Sequence, residues 1–172
     1  MRHARSSNQI AAVTEMRETM ESERFKLARR FVAEEVPKIL ADPVRRKGLF
    51  EENLPSEFEA MREVANFFEI MGVFVKRSII DRALVCDLWD GVVFTAWKQL
   101  EPVILIRRKA YYRGFCANFE YLALLCANSL SKTGGDHYPR GMPRMAIDKK
   151  SLEALAAFTA DQTDAHESPA IH

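Results

Sequence analysis

Two glutamates stand inside otherwise apolar runs, Glu69 in ANFFEIMGVFV from Ala65 to Val75 and Glu120 in ANFEYLALLCA from Ala117 to Ala127. An ionised carboxylate removed from water loses several kcal/mol of solvation unless it is paired, so each must be neutralised by a partner or belong to a site. Two such groups could share a proton or grip a cationic ligand. Asn66 and Glu69 share a helical face, whereas Asn118 and Glu120, two apart, diverge. Aligning Phe68 with Phe119 puts both glutamates about 100° from the core-facing direction, each with an arginine seven residues earlier, Arg62 and Arg113. Two turns separate each arginine from its own glutamate by about 10 Å. Pairing between helices is therefore expected, Glu69 with Arg113 and Glu120 with Arg62, or with neighbours such as Lys76. Glu69, Glu120, Arg62, Arg113 and Asn66 form the candidate polar cluster. It is read as a device that fixes helix register, with a ligand pocket as the alternative.

Other chemistries find less support. His3, His137, His166 and His172 all fall in the terminus, loop or tail, so the Glu-x-x-His pairs of a di-iron bundle are missing and no metal or cofactor is expected. Cys86, Cys116 and Cys126 lack C-x-x-C spacing and a core histidine to activate them, and they read as reduced core thiols. The TGGD stretch has no Walker lysine and is a turn. The segment IRRKAYYRGF, Ile106 to Phe115, interleaves Arg107, Arg108, Lys109 and Arg113 with Tyr111 and Tyr112, a composition that could hold phosphates and stack bases. On a helix these cations do not form one stripe, and a solvated face is the competing reading. Trp97 should pack inward, while Trp89, beside Asp90-Gly91, is the candidate partner contact.

The elements that carry these residues are helical. Few glycines and prolines punctuate the chain, and apolar side chains recur at three- and four-residue steps. Ser7 and Ser22 read as starts of the first two helices, and a shorter helix follows Pro37. Ser56-Glu57-Phe58-Glu59 reads as a capping box opening a helix to about Arg77. Its core face is Met61, Val64, Ala65, Phe68, Met71, Gly72 and Val75. Asp81 caps a short helix, Asp90-Gly91 introduces a long one that Pro102 kinks, and helical spacing resumes to about Leu130. The expected fold is all-α, a single-domain helical bundle with a kinked long helix and a flexible C-terminal tail. Residues 1–21 are a helical extension, 22–131 the bundle core, and 132–172 a loop, a short helix from Ser151 to Ala160 and a disordered tail.

The 172 residues carry 25 basic and 24 acidic side chains, a formal charge of +1, so no global field favours nucleic acid or an anionic membrane. The most apolar windows are too short to cross a bilayer, and no secretion signal is evident, which points to the cytoplasm.

ANFFEIMGVFVKRSIID, LWDGVVFTAWKQLEPVILIRR and FCANFEYL together resemble a bacterial family known only as a domain of unknown function, the helical family numbered 4760. The resemblance runs from Arg24 to Asn128 and rests on Asn66, Phe68, Glu69, Ile80, Asp81, Trp97, Pro102, Arg107, Phe119 and Glu120. It implies no activity. The residues favour an interaction or regulatory module without catalysis, with a protein partner or self-association through the charged, Met-rich N-terminal helices. Nucleic-acid binding by segment 106–115 and a small-ligand binder or enzyme using a Glu69/Glu120 pocket are the alternatives.

Overall fold

The structure, a computed structural model, describes the backbone of residues 2–139 and 141–166, and side chains over 8–139 and 141–158. It is all-helical among the described residues. Residues 1–137 form one compact unit and 138–172 a second. The first contains α1 (Arg2–Glu21), α2 (Glu23–Ala41), α3 (Pro43–Gly48), a 3-10 turn at Ser56–Phe58, α4 (Glu59–Lys76), α5 (Arg82–Ala110) and α6 (Ala117–Thr133). The second contains α7 (Lys149–His166), capped where Asp148 Oδ1 accepts from Ser151 N at 3.0 Å.

Helix starts follow local chemistry. Ser22 Oγ accepts from Phe25 N, Asp42 from Val44 N and Arg45 N, and Asp81 from Ala83 N and Leu84 N. Each bond satisfies an N–H that the first turn leaves without a partner. Ser7 lies inside α1, not at its start. The capping box at Ser56 does not form: Pro55 leads into a 3-10 turn, Phe58 N donates to Pro55 O, and Ser56 sits within that turn instead of at the cap. The end of α4 is closed by Ser78 at φ 55°, with Ser78 N donating to Val75 O and Ile79 N to Phe74 O. This paired arrangement satisfies carbonyls that have no partner within the helix.

Two prolines do not break their helices. α2 runs through Pro37 and α5 through Pro102. In each case the proline and the residue four earlier, Ala33 or Lys98, are exposed, so the carbonyl that loses its donor faces solvent. α5 is also continuous across Asp90-Gly91, so the two helices expected there are one. The continuous helical spacing expected from Ile104 to Leu130 is interrupted instead, by turns at 111–116.

The expected core face of α4 is buried at every position, from Met61 to Val75. Its aromatic residues link four helices. Phe25 of α2 lies 4.6 Å from Phe67, and Phe68 stacks on Phe119 of α6 at 5.1 Å with an interplanar angle of 21°. Phe119 meets Trp97 of α5 edge-on at 5.2 Å. Met16 and Met20 of α1 are also buried in this core. No helix among the described residues is long and apolar enough to cross a membrane.

Candidate functional site

The two glutamates do different work. Glu69 reaches from α4 to the start of α6, where Oε2 accepts from Phe119 N and Oε1 from Asn118 Nδ2, both at 2.7 Å. Asn118 in turn accepts from Lys76 Nζ at 3.2 Å. The N-cap residue of α6, Cys116, has φ 54° and supplies no side-chain cap, so a carboxylate from another helix fills that role at the positive end of the α6 dipole. Gly72 makes the approach possible, because a Cβ there would lie 2.1 Å from Asn118 O. Glu120 is half exposed and pairs with Arg108 Nη2 at 2.8 Å.

The expected cross-helix pairing is therefore not formed. Arg62 pairs with Glu59 on its own helix, Arg113 is exposed with no ion-pair partner among the described residues, and Asn66 is exposed. Glu69 and Glu120 have separate partners. The partner that sequence reasoning missed is Asn118, set aside because it diverges from Glu120; its true partner lies on the other helix.

The basic segment also divides. Arg108 Nε donates to Phe115 O at 2.8 Å and its guanidinium lies 6.0 Å from the Trp97 ring, which leaves it half-buried. Arg107 is 8% exposed; its Nη1 donates to Leu49 O at 3.1 Å and Glu51 O at 2.6 Å, and its guanidinium stacks 4.0 Å from the Tyr111 ring. Lys109, Tyr111 and Arg113 remain at the surface. Two of the four cations are thus committed inward. Trp97 is buried, and Trp89 is half-buried against the core.

Arg107 lines a cavity of about 180 Å³ between α4, α5 and the 49–55 connection. Met61, Ala65, Leu100, Val103, Ile104 and Phe115 give it an apolar interior, while Arg62, Asn66 and Glu52 stand among its polar walls. Arg107 has no carboxylate partner among the described residues. Its Nε and Nη2 make no hydrogen bond there, yet no buried side-chain nitrogen is sealed without a partner, so both remain open to solvent.

A second polar cluster joins distant segments. His137 places Nε2 2.9 Å from the buried Asp90 and Nδ1 3.1 Å from Asp87. Both ring nitrogens face carboxylates, which leaves neither to activate a nucleophile. The thiols nearby are held in their protonated form: burial pushes Cys86 and Cys126 up, and the Asp90 charge adds to the shift. Burial likewise pushes Cys116 up to about 12, with Glu69 contributing. Among the described residues no group of three or more His, Cys, Asp or Glu side chains is placed to hold a metal ion.

No curated protein and no solved structure matches the chain. A family model does match, over residues 1–125, which takes in α1 to α5, the Glu69 contact and every cavity residue but leaves out His137. By that match across most of its length, the chain belongs to the family described as a domain of unknown function, DUF4760.

Proposed function

We propose that the chain is a regulatory or interaction module with no catalytic centre of its own, in which a small molecule in the α4–α5 cavity controls the 49–55 segment and, through it, contact with a protein partner. The observation that carries this reading is the position of Arg107, which belongs to the cavity wall and also holds the carbonyls of Leu49 and Glu51. Leu49 is fully buried, and Phe50, between the two anchored carbonyls, is half exposed. A molecule that engages the free edge of the guanidinium holds or shifts the same group that anchors those carbonyls through Nη1, and so acts on the segment that presents Phe50. Concave, largely apolar sites with a few convergent polar groups are where small ligands bind.

The test is native mass spectrometry of protein purified from its own host, combined with hydrogen exchange over residues 49–55. Wild-type protein should retain a small molecule and show exchange in this segment that changes when the molecule is removed. Val103→Phe, which fills the cavity, should fold and lose both properties. Masses equal to those of the bare chains for both proteins, with exchange over residues 49–55 unchanged by the ligand-removal step, would count against the reading.

A further inference from the structure

We infer that the cavity takes a small monocarboxylate with an apolar body, the carboxylate meeting Arg107 and the body filling the space among Met61, Ala65, Val103 and Phe115. This rests on the cavity reading above and narrows it to a ligand class.

Size limits the body. An apolar protein cavity of about 150 Å³ holds a benzene ring, and the space here is about 180 Å³. A single ring or a short alkyl chain fits, and a nucleotide does not. Charge selects the head. Arg107 is more than nine-tenths buried, and a guanidinium stays protonated in any protein environment. Buried charges are normally paired, because carbonyl dipoles and aromatic faces replace only part of the lost hydration. Arg107 has the two carbonyls on Nη1 and the rings of Tyr111 and Phe115, 4.0 and 5.8 Å away. What it lacks among the described residues is an anion. Its Nε and Nη2 form the edge that a carboxylate engages with two parallel hydrogen bonds.

The other polar walls agree with this assignment. Arg62 is already matched by Glu59, so it adds little net field, and Glu52 is exposed on the connecting segment. Arg107 is left as the cation in need of a partner. The amide of Asn66, exposed at the rim, can donate to the outer edge of a bound carboxylate.

The test compares two matched pairs of probes, benzoate with benzyl alcohol and hexanoate with hexanol, by ligand-observed NMR and titration calorimetry on the full chain. At least one carboxylate should bind no less than tenfold more tightly than its neutral counterpart, and Val103→Phe should abolish its binding. Arg107→Gln should erase the preference for the anion. Should that variant fail to fold, the comparison within each pair on wild-type protein decides the matter alone. Equal binding of acid and alcohol, lost in Val103→Phe, would overturn the carboxylate assignment and leave the cavity reading standing. Binding of no probe would overturn both. Carboxylate binding that survives Val103→Phe would place the anion elsewhere and overturn this inference.

Discussion

Replacing Gly72 by alanine separates two opposing effects whose sum has a definite sign. Helix propensity alone predicts stabilisation of about 1 kcal/mol, since Gly72 lies inside α4. Packing predicts the reverse. The new Cβ would fall 2.1 Å from Asn118 O and 2.6 Å from its carbonyl carbon, and both obstacles are backbone. To reach ordinary contact, α6 must withdraw from α4 by on the order of 1 Å, an overpacking that costs about 1–3 kcal/mol. The same withdrawal stretches both 2.7 Å bonds to Glu69 beyond hydrogen-bonding distance. Loss of the two bonds, which water replaces in part because Glu69 is half-buried, adds about 1.5–3 kcal/mol together.

The net expectation is a loss of about 3 kcal/mol, or about 9 °C in Tm for a chain of this size. Urea denaturation followed by circular dichroism measures it. A double-mutant cycle with Glu69→Gln identifies the source: the single variant should cost about 2 kcal/mol, and almost nothing when Gly72→Ala has already broken the contact. A neutral or stabilising Gly72→Ala, or additive losses in the cycle, would refute the coupling between close approach and the carboxylate cap.

Glu120→Gln should cost less than about 0.5 kcal/mol in the same assay, because its ion pair with Arg108 is half exposed on the glutamate side; a loss equal to that of Glu69→Gln would restore the equivalence suggested by the sequence. His137→Ala should destabilise by about 1–3 kcal/mol, since the carboxylate of Asp90 is buried and loses its imidazole partner; an unchanged urea midpoint would contradict this. Raised thiol pKa values keep the cysteines protonated near neutrality. At pH 8 Cys116, pushed up to about 12, should therefore alkylate roughly a thousandfold more slowly than a free thiol. Mass-resolved iodoacetamide labelling should find the half-buried Cys86 modified first and all three labelled together in denaturant.

The core face of α4 was fully legible in the sequence, because a helix with apolar side chains nearly all round still has one direction in which every position is large or closely packed. Asp81 and Ser22 were legible for a similar reason, since capping is decided within four residues. Contacts between distant segments were not. Nothing near Glu69 announces that its partners are Asn118 and the N–H of Phe119, and Asp90 reads as a cap until His137 is seen beside it. Pro37 misled as a helix start, and Pro102 does not interrupt α5, because propensity does not say which side of a helix faces water. Arg107 was noticed for its charge, but its burial depends on where the chain from Leu49 to Glu51 passes.

The seam between Gly72 and Asn118 also limits how this chain can change in length. α6 has a rotational setting fixed from outside itself, by a carboxylate aimed at one N–H and by a ring stacked on Phe68. One residue added to or removed from α6 between Phe119 and Leu122 would rotate the rest of that helix by about 100°, carrying Leu122, Ala123 and Cys126 off the core while Phe119 stayed on Phe68. Length variation is confined by this geometry to segments that set no helix phase, and the turns at 111–116 are among them.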